Sequence, residues 1–128
     1  MISIIIPTLN EESVLEKTLE NLKRITVLSY EIIISDGKST DRTISIAKKF
    51  TDKIIVYDKK ERQTIGNARN LGAKIAQGEY LVFIDADTII PDPDNFFVEA
   101  IKNFEKDERL AAITVPMRVM EEVETFMD

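Results

Sequence analysis

GEYLVFIDADTIIPD, residues 78–92, is the stretch on which the reading of the whole chain turns. Tyr80 to Ile84 is an unbroken apolar and aromatic run, and it leads straight into Asp85 and Asp87 with one alanine between them. A short apolar run bounded by turn residues reads as a buried strand. Two carboxylates at its mouth each raise the cost of ionising the other. A divalent cation offsets that repulsion, and magnesium in particular is commonly held by one or two carboxylates with substrate phosphates completing its shell. If the strand direction carries through to Asp87, both side chains point to one side, and Ala86 leaves room for a ligand. The alternative is plainer: Asp85 caps a turn and Asp87 is solvated.

The same strand signal recurs upstream and once downstream. Ile2 to Ile6 is a β-branched run closed by Pro7, Tyr30 to Ser35 is a second run, Lys53 to Tyr57 a third, and Leu110 to Val115 a fifth after the one quoted above. Helical signals lie between them. Asn10 offers a cap, Glu11 and Glu12 suit the positive end of a helix, and Val14, Leu15, Thr18, Leu19 and Leu22 recur at helical spacing. Asp41 can cap a second helix with Ile44, Ala47 and Phe50 on its apolar stripe. A third runs from Gly66 to about Gln77 with Gly78 as its C-cap, and a fourth from Asp94 to Lys106 after Pro91 and Pro93. Strands alternating with helices predict an α/β domain with a mostly parallel central sheet and helices on both faces. The strands are continuous apolar runs, as buried parallel strands are. In such sheets ligands bind outside the carboxyl ends of the strands. PTLNEE, SDGKSTD and DADT each follow a strand directly, so all three should gather at one edge.

Composition narrows the chemistry. With 128 residues, 44% hydrophobic and 31% charged, the chain reads as one soluble globular domain over 1–128. The formal charge of −6, from 17 basic against 23 acidic side chains, argues against a nucleic-acid binder. It leaves room for one small phosphorylated ligand held by a few local donors. There is no cysteine and no histidine, so thiolate chemistry, cysteine-bound zinc and imidazole bases are excluded. Any catalysis rests on carboxylates, lysine, tyrosine, hydroxyls or a hard metal such as Mg or Mn. MISIIIPTLNEES lacks the basic region and cleavage site of a signal peptide, and no run approaches the ~18 apolar residues of a membrane helix.

Each loop admits two readings. In SDGKSTD, Gly37 permits a positive-φ turn and Asp36 presents acceptors suited to the N–H edge of a nucleobase; the same residues also make a helix-capping loop. In PTLNEE, Pro7 stops the strand, the backbone at Thr8 and Leu9 can meet a flat ring or ribose, and Glu11 can accept from a ribose hydroxyl; or the segment simply starts a helix. In GNARNLG, Arg69 is a fork of donors suited to phosphate, while the alternative is an amphipathic helix with an incidental arginine. Gly72 inside that helix costs about 1 kcal/mol relative to alanine, which a close approach to the sheet would explain. DKKERQT reads as solvated surface and RVMEEVETFMD as a packing helix.

Taken together and in this order, PTLNEE, DGKSTD, GNARNLG and DAD resemble family 2 glycosyltransferases, inverting enzymes with the GT-A nucleotide-diphospho-sugar transferase fold, which is Rossmann-like. The resemblance runs from Ile2 to about Pro116. It implies that Pro7, Thr8, Leu9 and Glu11 line a nucleoside pocket, that Asp36 with Gly37 meets the base, and that Arg69 sits near the diphosphate. It also implies that Asp85, Ala86 and Asp87 form the D-x-D motif, with Asp85 and Asp87 as ligands of Mn or Mg. The second loop departs from the pattern, because Ser35 stands where the family often has an aspartate before Asp36. The implied partner is a nucleoside-diphosphate sugar, with a lipid, glycan or protein as acceptor. The family's general base is an acidic residue well downstream of D-x-D; Glu121, Glu122 and Glu124 stand in no context that matches it. The chain therefore resembles the donor-binding part of a longer enzyme. The implied location is the cytoplasm, at the inner face of the membrane if a further C-terminal region carries helices as in some relatives. Two alternatives remain: a nucleotide-binding or regulatory module without transfer activity, and a sugar nucleotidyltransferase. PTLNEE is neither glycine-rich nor basic, which counts against the second.

Overall fold

The computed structural model describes residues 1–118. Four strands, β1 (Ile2–Thr8), β2 (Tyr30–Asp36), β3 (Ile54–Val56) and β4 (Tyr80–Phe83), form one all-parallel sheet in the order β3-β2-β1-β4. Helices α1 (Leu15–Leu22), α2 (Thr43–Ala47) and α3 (Ile65–Ile75) connect them, and α4 (Pro93–Lys106) follows β4. Two compact units result, Met1–Phe96 and the segment from Phe97 onward. The sheet and the three connecting helices belong to the first. No helix among the described residues is long and apolar enough to cross a membrane.

The alternation of strand and helix gives the expected parallel architecture, and β1 is its axis. Ile2, Ile4, Ile5 and Ile6 are all buried, so both faces of this strand are covered. The register sets Ile4 beside Ile32 and Ile5 beside Ile33 on one flank, and Ile4 beside Val82 on the other. Helix α3 packs on β1 and β2. Its Gly72 lies so close to the sheet that a Cβ there would sit 2.5 Å from Ile5 Cγ2. That close approach is the reason a glycine stands in mid-helix.

Several boundaries differ from the sequence reading, each for a physical reason. Helix α1 begins at Leu15, because Asn10 turns into the left-handed region at φ 53° and lends its side chain to a neighbouring loop instead of capping. Helix α2 is a short piece whose buried residues are Thr43, Ile46 and Ala47, with Ile44 only half-buried. Gly78 is no left-handed C-cap: Ala76 ends α3 in an extended conformation, and no described glycine has positive φ. It is small because a Cβ would meet Met1 O and Ser3 Oγ at 2.7 Å. Strand β4 ends at Phe83 and is not fully buried. It lies at the sheet edge, paired with β1 alone among the described residues, and α3 leaves Leu81 and Phe83 each 45% exposed. Leu110 to Val115 forms no strand; Leu110 N donates to Asp107 O at 3.0 Å in a turn, and the rest of the segment lies without a ladder. Apolar composition favours a strand only where another edge accepts its backbone groups. The expected tail helix lies, from Val119 on, outside the described residues.

At the amino end of the sheet one buried acid ties several pieces together. Glu31 accepts from Ser3 Oγ at 2.5 Å, from Gln77 N at 2.6 Å and from Lys53 Nζ, while Ser3 Oγ accepts from Gly78 N at 2.8 Å. Burial alone would raise the Glu31 carboxyl. The Gln77 N–H, the Lys53 ammonium and the Ser3 hydroxyl outweigh it and hold the group at about 2, against an ordinary 4.5.

Two outcomes follow from this packing. Gly72→Ala gains helix propensity but drives a methyl into Ile5, so it should destabilise the chain by on the order of 1–3 kcal/mol in urea denaturation. A depressed acid contributes stability that is complete above its unfolded value and is lost as pH falls towards its folded value. Wild-type melting temperature should therefore fall between about pH 5 and pH 2. In Glu31→Gln it should start lower and lose that part of the acid dependence.

Candidate functional site

The chain leaves β1 towards β2 and β3 on one side and returns to β4 on the other, so the topological switch lies between β1 and β4. A crevice opens at such a point outside the carboxyl ends of the strands. The segments after β1 and β4 flank it, and the segment after β2 adjoins the first.

The loops after β1 and β2 are laced into one platform. Asp36 ends β2 fully buried. Its Oδ1 accepts from Thr8 Oγ1 and Ser39 Oγ, both at 2.6 Å, and its Oδ2 accepts from Lys38 N at 2.9 Å and Ser39 N at 2.7 Å. Gly37 N donates to Thr8 O at 2.8 Å. The positive φ expected at Gly37 falls instead on Lys38, at 77°. Asn10 reaches across, its Oδ1 accepting from Thr40 N at 2.8 Å while its own N–H meets Ser39 Oγ at 2.8 Å. Glu11 N donates to Thr43 Oγ1 at 2.8 Å, Glu12 N to Asp41 Oδ2 at 3.2 Å, and Arg42 to the Glu12 carboxylate. Asp41 thus serves the loops, its Oδ1 also accepting from Thr43 N at 2.9 Å. On this platform Pro7 is half-buried, Thr8 is buried, and Leu9 stands exposed beside Gly37.

The D-A-D segment is a turn rather than a strand end, closed by Thr88 N donating to Asp85 O at 3.2 Å. Asp85 and Asp87 are exposed and Ala86 is buried, so the two carboxylates face solvent while the residue between them faces the protein. Two residues of α1 hold this turn and the segment just after it. Thr18 Oγ1 donates to Ala86 O at 2.6 Å. Asn21 donates through Nδ2 to Ile90 O at 2.9 Å and accepts from Ile90 N through Oδ1 at 2.8 Å. Helical spacing alone sets Thr18 on an apolar stripe and does not single out Asn21. The available signal was a pair of polar residues three apart on the buried face of a helix.

Arg69, on α3, brings Nη2 to 3.4 Å from Asp85 Oδ1, and its buried Nε has no partner. The pair is half-exposed, a geometry of little worth to stability. The Glu11 carboxyl is pushed up from its ordinary value by burial first, then by Asp87, Asp41 and Asp85. Glu11 thus feels the charge of the D-A-D carboxylates. Among the described residues no three acidic side chains converge into a ready-made cation cage. Two hollows of about 430 Å³ lie elsewhere, one floored by Tyr30, Glu31 and Lys53, the other by Ile44, Ile54 and Val56. Neither is lined by any of these residues.

Residues 3–127 match the model of the family described as glycosyl transferase family 2. The chain belongs to that family. A relative from Mycobacterium tuberculosis, named PGL/p-HBAD biosynthesis glycosyltransferase, is 36% identical over 97 residues, which cover 73% of this chain and 38% of that one. TarS 1-349 of S. aureus in complex with UDP-GlcNAc superposes with a TM-score of 0.71 at 25% identity, covering 91% of this chain and 37% of that one. The mannosyltransferase PcManGT of Pyrobaculum calidifontis, in complex with GDP-Man and Mn2+, does so with a TM-score of 0.70 at 26% identity, covering 80% and 32%. The fold is GT-A. This chain therefore spans well under half the length of these relatives.

The electrostatics of the site carry one prediction. Removing a negative neighbour eases ionisation, so Asp87→Asn should lower the pH at which Glu11 titrates, read from its side-chain carboxyl carbon by NMR.

Proposed function

We propose that this chain is the donor-binding portion of an inverting glycosyltransferase, which transfers a sugar from a nucleoside diphosphate to a separate acceptor with the assistance of Mn or Mg. The observation that carries this reading is the pair of exposed carboxylates, Asp85 and Asp87, held on a turn at the switch point opposite Glu11 and beside Arg69. Relatives of the same fold bind UDP-GlcNAc, and GDP-Man with Mn2+.

Each element has a role in that reading. Pro7, Thr8 and exposed Leu9 offer a floor for the nucleoside, and Gly37 keeps the space beside Leu9 open. Glu11 accepts from a ribose hydroxyl. Both oxygens of Asp36 are already engaged, so its contact with a base requires one of those bonds to be released; otherwise it acts by holding the loop the base rests on. Arg69 turns its guanidinium from Asp85 to the diphosphate, as a fork of donors suits.

The donor set fits a hard cation. Two exposed carboxylates without a third suit Mg or Mn, which take one or two protein oxygens and complete the shell with phosphate and water. What such a cation would supply is neutralisation of the charge on the departing diphosphate. Asp87 and Asp85 would hold it, and the Ala86 backbone keeps the two apart.

The test is calorimetric titration of UDP, GDP and ADP into the folded chain, with Mn2+ and then with chelator. One nucleotide should bind in a metal-dependent way, and Asp87→Ala should weaken it by at least about tenfold, or 1.4 kcal/mol. If no nucleotide binds, the D-A-D turn is a plain strand-end turn and the donor-site reading fails. Binding without sugar transfer by a longer natural form of the chain would make this a nucleotide-binding module.

A further inference from the structure

We propose that Thr18 and Asn21, on one face of α1, are positioning residues for the Asp85–Thr88 turn, and so set the direction in which Asp87 presents its carboxylate. The role deepens the donor-site reading above and rests on it.

The geometry singles these two out. After Ile84 N donates to Ile5 O at 3.2 Å, the chain leaves the sheet, and the turn's own bond from Thr88 N to Asp85 O fixes its shape but not its placement. Placement comes from α1. Residues three apart on a helix share a face, and Thr18 and Asn21 are both buried there beneath residues 86–90. Asn21 engages both backbone groups of Ile90, as a neighbouring strand would. Thr18 grips Ala86, the residue between the two aspartates, by its carbonyl.

The hydroxyl of Thr18 has one proton to give. A threonine within a helix commonly spends it on the carbonyl four residues back. Here that carbonyl, Val14 O, is 3.5 Å away while Ala86 O is at 2.6 Å. The proton is therefore committed to the loop. The Ala86 carbonyl belongs to the peptide group that continues into Asp87, so fixing it fixes the plane from which the Asp87 side chain departs. Ala86 itself is buried, which blocks the turn from rolling inward. A third tie lies further along, where Asp94 accepts from Thr26 N at 2.7 Å and Thr26 Oγ1 at 2.6 Å. It anchors the start of α4 without touching the turn, and serves as the internal comparison.

The experiment compares Thr18→Val, which keeps the shape and removes the donor, with Thr18→Ser, which restores the donor. Each is titrated with the nucleotide the wild-type chain binds, with Mn2+ and with chelator, after a thermal melt confirms folding. Thr18→Val should weaken the Mn2+-dependent affinity by about tenfold and leave the metal-free affinity within about twofold, while Thr18→Ser stays within about threefold of wild type. Asp94→Ala should lower the melting temperature without changing the Mn2+ dependence. If Thr18→Val melts lower yet keeps its Mn2+-dependent affinity, the hydroxyl is a packing contact and the proposal is overturned. Where Thr18→Val does not fold, Asn21→Ser, which withdraws the amide from Ile90, is judged by the same two outcomes. A wild-type chain with no metal-dependent binding refutes the donor site itself, and shows it before any Thr18 variant is made.

Discussion

The carboxyl group of Asp36 is shut off from solvent at the end of β2, and the upper edge of the sheet is organised around it. It accepts four hydrogen bonds, one from the last residue of β1 and three from its own loop. A buried carboxyl left short of partners is costly, so the loops that satisfy this one are held to the conformation that does so. The PTLNEE and SDGKSTD segments consequently form one surface. Their remaining bonds, from Asn10 to Thr40 and from Glu11 to Thr43, extend the same lacing outward. This surface is thereby built before any ligand arrives, which would lower the ordering cost of the nucleoside binding proposed for it.

The opposite wall of the crevice is built differently. The D-A-D turn carries two exposed carboxylates, whose charge also reaches Glu11, against one arginine. Such an arrangement is electrostatically short of positive charge. Arg69 supplies part of it through a half-exposed contact of 3.4 Å, long enough to be given up cheaply. A wall of this kind gains most from a ligand that arrives with a cation and a diphosphate together, because each satisfies what the other leaves exposed.

Much of this is legible in the sequence, and the limits have physical causes. Strands β1 and β2 announce themselves because buried parallel strands must be apolar on both faces, as Ile2, Ile4, Ile5 and Ile6 are. Gly72 announces its contact because glycine in mid-helix needs a reason, and Ile5 is that reason. The motifs gather at one edge because every parallel strand points the same way. Reading fails where a side chain serves a distant partner. Asn10 looks like a cap and instead bonds Thr40; Thr18 looks like one member of an apolar stripe and instead holds Ala86, far along the chain. Leu110 to Val115 looks like a strand, but composition is silent on whether an edge is there to receive it. The fully buried reading of Tyr80 to Ile84 fails for a related reason, since an apolar run does not say whether it will stand in the middle of a sheet or at its border.

The all-parallel register also dictates an order of events. No ladder in this sheet joins neighbours through a hairpin: Ile2 pairs with Tyr30 on one flank, reached through one helix, and with Tyr80 on the other, reached through three helices and two strands. Such pairings are slow to find, because the loop must close before any contact repays the closure. On a ribosome, β1 emerges first and must wait with one side open until β4 has been made. The turn bearing Asp85 and Asp87 leaves that last strand, so it can take its place over α1 only after β4 has docked. The carboxylates on which the proposed chemistry depends are thus the last part of this edge of the sheet to be assembled, and a chain caught partway through folding would hold the Asp36 platform before it held the D-A-D turn.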